Sequence, residues 1–231
     1  MSEGSRGRPA PALVLFDVNE TLSDLGPLRE AFMAAGLQEC EVEPWFAGVL
    51  RDGFALTCVG QKASFADLAA EGLRIRLYAG GALASEVDEH VERVMSTFTS
   101  LSVHPDVVPG MRALHDAGVR LVTLSNGSAG VAEGLLERAG VADLVERTLS
   151  VDDAPAWKPH ASAYAYALEV CGAPAEAAML VAVHPWDVDG AARAGLRTGW
   201  IDRRRAPYPS YFSEPEVEAA DLPGLVSKVC S

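Results

Sequence analysis

Residues 12–16 form an apolar run, Ala12-Leu13-Val14-Leu15-Phe16, that ends in a carboxylate at Asp17. A short apolar run followed by turn residues, here Asn19, Glu20 and Thr21, predicts a buried strand. A carboxylate at the carboxyl end of such a strand sits where open α/β sheets place their ligands. Asp17 is therefore a candidate nucleophile, and Asn19, two positions on, limits which chemistry it can perform.

Strand-like runs recur at 120–125, 179–183 and 198–202. Helical periodicity lies between the later ones, over 107–117, 128–139 and 161–171. Strands alternating with helices predict a parallel sheet with crossover helices. The segment from residue 24 to about 101 breaks that rhythm. It carries helical patterns over 27–35, 44–56, 63–77 and 85–98 and no clear strand, with Gly80-Gly81 as a turn between two helices. The expected fold is α/β, a Rossmann-like parallel-sheet core (12–23 and 102–231) with a helical cap (24–101) inserted after the first strand. Residues 1–11, rich in Ser, Gly, Arg and Pro, read as a flexible leader. The proline-bearing tail from 203 reads as irregular, with a short final helix.

Four segments in order carry a resemblance. They are Phe16-Asp17-x-x-x-Thr21-Leu22, then Ser125-Asn126-Gly127, then Lys158-Pro159 with Tyr164, and then His184-Pro185-Trp186-Asp187. Together they resemble the haloacid dehalogenase superfamily, and within it the type II (S)-2-haloacid dehalogenases. The resemblance implies the Rossmann-like fold with its helical cap. It also implies a hydrolase in which Asp17 attacks C2 of a small 2-haloalkanoate, halide leaves, and water cleaves the aspartyl ester. Lys158 would keep Asp17 ionised, and Tyr164 would orient that lysine or Asp187. Thr21 and Ser125 would donate hydroxyls to a carboxylate. Asn126 would receive the halide, and Asp187 would hold Lys158 and help place the water.

Two departures from the family's pattern stand out. His184 occupies a position where these dehalogenases tend to carry Asn, and an imidazole there could activate water. The family's halide-binding arginine, early in the cap, aligns near Trp45-Phe46, where there is none. Arg51 is the nearest replacement; otherwise Asn126 and walls such as Trp45, Phe46 and Phe65 would serve.

The alternative readings are a magnesium-dependent phosphatase working through an aspartyl-phosphate, or a non-catalytic binding relative. A phosphatase of this superfamily usually carries an aspartic general acid where Asn19 stands. Losing that proton transfer costs on the order of 10²–10⁴ in rate. Asp17 and Asp187 without further carboxylates make a poor magnesium site. The expected reaction therefore uses no metal and no cofactor.

The formal charge of −13 argues against nucleic acid or an anionic membrane as partner. An anionic substrate must then be drawn by local positive charge. No apolar run approaches the roughly 18 to 20 residues of a membrane span. The four cysteines show no CxxC spacing, and no apolar signal core is visible, so reduced thiols and a cytoplasmic location are expected. A homodimer is an expectation of the resemblance alone.

Overall fold

A computed structural model describes residues 8–230. Its centre is a six-stranded parallel sheet: β1 (Leu13–Phe16), β2 (Arg120–Ser125), β3 (Val145–Ser150), β4 (Ala178–Ala182), β5 (Arg197–Ile201) and β6 (Val217–Ala219). The spatial order is β3-β2-β1-β4-β5-β6. The chain therefore steps outward from β1 to β3, then crosses to β4 on the other side of β1. Ligands of open α/β sheets bind at such a reversal, outside the carboxyl ends of the strands. Here that place lies just beyond Phe16 and Ala182.

All four residues of β1 are buried because the strand is covered on both faces. Leu13 and Leu15 join one apolar cluster, while Val14 and Phe16 join the other. The second cluster is built with α5 (Val107–Asp116), α6 (Ala129–Ala139) and α9 (Leu222–Val229). The first receives α7 (Ala161–Cys171), α8 (Pro185–Arg193) and the four helices between β1 and α5.

Those four are α1 (Leu28–Ala34), α2 (Val42–Cys58), α3 (Phe65–Ala79) and α4 (Ala84–Thr99). Aromatic edges lock them together. Trp45 packs edge-on against Phe32 and Phe98, and its indole donates to Ala69 O at 2.9 Å. Gly81, at φ +85°, supplies the left-handed residue that turns α3 into α4. The two connections to the sheet run side by side, joined by the Ser23–Val103 bridge and by Asp24 N–H donating to Ser102 O at 2.9 Å. No described helix is long and apolar enough to cross a membrane.

The structure adds two strands that periodicity did not predict. β3 reads Val-Glu-Arg-Thr-Leu-Ser and is buried only at its last two residues, so it lacks a continuous apolar run. β6 has three residues, at the sheet edge within the tail expected to be irregular. Residues 8–11, within the segment read as a leader, make contacts with the core. Arg197 donates to Pro9 O at 2.6 Å, Arg8 pairs with Glu216 at 2.8 Å, and Pro11 is buried. The rest of that segment, residues 1–7, lies outside the described residues.

Candidate active site

Asp17 follows β1 directly, and its N–H donates to Val181 O of β4 at 3.1 Å, which fixes it at the sheet's reversal point. Three groups converge on its carboxylate. Lys158 Nζ donates to Oδ1 at 2.9 Å, and Thr21 Oγ1 donates to Oδ2 at 2.6 Å. His184 Nε2 stands 3.6 Å from Oδ2. The Thr21 proton is committed to Asp17 because Thr21 Oγ1 accepts Val183 N–H at 3.0 Å.

The Lys158 ammonium bridges two carboxylates, since it also donates to Asp187 Oδ2 at 2.6 Å. Lys158 and Asp187 are fully buried and Asp17 is 4% exposed. Tyr164 closes the array, donating to Asp187 Oδ1 at 2.5 Å. Glycine is required at 190: a Cβ there would lie 2.7 Å from Tyr164 Oη and 2.9 Å from Pro159 O.

Burial pushes the Asp17 carboxyl up, but Lys158, His184 and the Thr21 hydroxyl outweigh it and hold the group below the usual carboxylate range. Burial would lower the Lys158 ammonium; its two carboxylate partners raise it instead. Asp187 goes the other way from Asp17. Its burial and the nearby Asp17 charge together exceed the pull of Lys158, so its carboxyl is raised. Burial, followed by the adjacent Asp187 carboxylate, lifts the Tyr164 phenol well above its ordinary value. The arrangement pairs an ionised carboxylate suited to attack with a second carboxylate of higher proton affinity.

The third segment is held in place by Asn126. Its amide oxygen accepts Lys158 N–H at 3.0 Å and its amide nitrogen donates to Lys158 O at 3.1 Å. Ser125 Oγ accepts Gly127 N–H at 2.9 Å, which tightens the turn that opens α6. Asn19, Ser125, Gly127 and Asp152 line a small space of about 60 Å³, walled by Val18, Phe65, Met95 and Phe98. Glu20 and His184 border a separate cleft of about 690 Å³ that includes Arg29, Arg203 and Arg204.

The site thus brings together Asp17, Asn19, Thr21, Ser125, Asn126, Lys158, Tyr164, His184 and Asp187. Phe46 reaches it by stacking on His184, ring centroids 6.2 Å apart. Two expected members stand elsewhere. Arg51 is exposed and bound to Asp52 at 2.8 Å, because its turn of α2 faces solvent. Trp45 is turned into the core of the cap helices, one face round from Phe46.

Three residues escape the motif reading. Lys62 donates to the carbonyls of Val151, Asp152 and Ala154 at 2.9, 2.8 and 2.7 Å, tying the loop before α3 to the segment that leads to Lys158. Trp157 is buried beside Lys158, stacked on Phe65, and its Nε1 has no hydrogen-bond partner. Glu20 adopts φ +62°, a left-handed conformation uncommon for glutamate. Nothing in the spacing of Lys62 or Trp157 marks them.

A parallel sheet with an aspartate–lysine–aspartate array at its reversal point defines a Rossmann-like hydrolase core with a helical cap. Residues 11–195 match the haloacid dehalogenase-like hydrolase family, and the chain belongs to it. It is 35% identical over 173 residues to haloacetate dehalogenase H-2 of Moraxella sp. (strain B), covering 74% of this chain and 76% of that one. Similarity to (S)-2-haloacid dehalogenase 1 of Pseudomonas sp. (strain CBS-3) is 27% over 213 residues, covering 91% and 93%. The crystal structure of the L-2-haloacid dehalogenase RSc1362 superposes with a TM-score of 0.89 at 26% identity, over 96% of this chain and all of that one.

Proposed function

We propose that this chain hydrolyses the carbon–halogen bond of short 2-haloacids, with Asp17 as nucleophile and without a metal ion. The observation that carries this reading is the Lys158 ammonium held between Asp17 and Asp187 at 2.9 and 2.6 Å. That ammonium already balances the charge of both carboxylates without a divalent ion. Asn19 offers no acid to a phosphate leaving group.

Asp17 attacks C2 of the haloacid, halide departs, and an aspartyl ester forms. The substrate carboxylate lies at the Ser125-Asn126-Gly127 turn, where the amino end of α6 and the Ser125 hydroxyl favour an anion. The second Asn126 amide hydrogen, not used on Lys158 O, is the donor assigned to the departing halide. Asp187 holds the Lys158 ammonium in place beside the nucleophile. Similarity to a haloacetate dehalogenase and to (S)-2-haloacid dehalogenases supports the same class.

The test is chloride release from chloroacetate and (S)-2-chloropropionate in the presence of EDTA, by the wild type and by Asp17→Asn. The expected result is release by the wild type and loss by on the order of 10⁴-fold or more in the variant. Release of phosphate from phosphate monoesters with magnesium, and no chloride release, would refute it.

A further inference from the structure

His184 Nε2 faces three oxygens. Asn19 O lies at 3.2 Å, and Asp17 Oδ2 and Glu20 Oε2 each lie at 3.6 Å. A lone pair on Nε2 would be repelled by all three, so the ring places its proton there. The ring itself is clamped, stacking on Phe46 and, with centroids 5.0 Å apart, on Trp186. Glu20 reaches this nitrogen from a left-handed backbone conformation, and Arg204 holds its other oxygen at 2.9 Å. Strain of that kind, at a residue touching the site, points to a role for the side chain.

We propose that His184 acts as a donor in ester hydrolysis, completing with Thr21 an oxyanion hole around Asp17 Oδ2, and that Glu20 is the positioning residue that aims it. This rests on the aspartyl-ester reading above and adds to it which oxygen does what. Lys158 holds Oδ1, and Oδ1 is the oxygen that forms the ester. Oδ2 becomes the ester carbonyl, facing Thr21 O–H and His184 Nε2–H. Water adds to Asp17 Cγ and the charge moves onto Oδ2 between those two donors. The Cγ–Oδ1 bond then breaks beside the Lys158 ammonium. The hydroxyacid departs with Oδ1 and takes one proton from the water. The water's oxygen stays in Asp17, and its second proton leaves to solvent through the cleft that His184 borders. Preorganised donors aimed at developing charge are commonly the largest single contribution to such a step. The 3.6 Å resting distance shortens as Cγ becomes tetrahedral, as is usual for such contacts.

The experiment compares the wild type with His184→Ala and His184→Gln, with chloroacetate as the probe. Gln keeps an N–H donor near the Nε2 position but takes up no proton at neutral pH. His184→Ala is expected to release one equivalent of chloride rapidly and then turn over about 10²–10³-fold more slowly. Its intact mass should rise by one carboxymethyl group, mapped to Asp17. His184→Gln is expected to recover most of the turnover. Glu20→Gln should retain the chloride burst and slow the later step several-fold. The proposal fails if His184→Ala turns over like the wild type, or slows without a burst and without ester. It fails also if His184→Gln is as slow as His184→Ala, which would make the imidazole a base. A wild type that releases no chloride would instead overturn the dehalogenase reading itself.

Discussion

Beside Asn19 and Ser125 lies a space of about 60 Å³ walled mainly by Val18, Phe65, Met95 and Phe98, whereas a cleft of about 690 Å³ beside His184 is lined by Glu20, Arg29, Arg203 and Arg204. The walls come from different parts of the chain. Cap helices α3 and α4 press Phe65, Met95 and Phe98 onto the turn after β2. The segment after β1, the turn after β4 and the segment after β5 line the open cleft. Charges act strongly in a small, water-poor space and weakly beside solvent. The closed side therefore suits attack at carbon, and the open side suits the entry of water and the exit of a hydroxyacid. Under the proposed mechanism, different oxygens of the Asp17 carboxylate serve the two steps.

The largest effect should come from removing the charge that both sides share. Lys158→Met leaves Asp17 and Asp187 buried without their cation, which should cost about 3–5 kcal/mol of stability. The urea midpoint measures it, and the Asp17→Asn/Lys158→Met double variant should recover part of the loss. An unchanged midpoint would show that the carboxylates do not depend on the ammonium.

Next comes the division of labour itself. Ser125→Ala should raise KM for chloroacetate about tenfold, the scale of one hydrogen bond to a charged group. Arg204→Ala, on the cleft side, should leave KM within about twofold, since its exposed ion pair contributes little. An equal rise for both would put the substrate in the cleft.

A smaller loss is expected at the latch. Lys62→Met gives up three hydrogen bonds to the loop 151–154, at a cost of about 1–2 kcal/mol given the exposure of the side chain. It should raise KM together with the loss of stability, because Asp152 of that loop lines the small space. Stability lost with KM unchanged would separate the latch from the closed side. At the bottom of the scale, Arg51→Ala should change neither chloride release nor the melting temperature. A loss of activity there would return Arg51 to the site.

Much of this was legible in the residues. Continuous apolar runs marked β1 and β4, because strands buried on both faces need no alternation, and shorter strand-like runs marked β2 and β5. Helical periodicity located the four cap helices to within a few residues of their ends. The motif residues Asp17, Thr21, Ser125, Lys158, Tyr164 and Asp187 do converge, since each stands at a strand's carboxyl end or in the first turns beyond it. What stayed hidden depends on tertiary contact. β3 is too polar to show as a buried strand. The direction in which Arg51 and Trp45 point along α2 follows from packing against Phe32, Phe98 and Ala69, which no spacing reveals. Lys62 finds its partners about ninety residues away, and all of them are main-chain carbonyls. The contacts of Glu20 with His184 and Arg204 join residues far apart in the sequence.

The most direct measurement is a rapid quench of the wild-type enzyme with excess (S)-2-chloropropionate in EDTA, followed by peptide mass mapping. The expected result is one carboxyethyl group on the peptide containing residue 17, localised to Asp17, formed as chloride appears and lost as lactate appears. Chloride release with no modified Asp17 at any quench time, or with the label on another side chain, would contradict the assignment of Asp17 as the nucleophile.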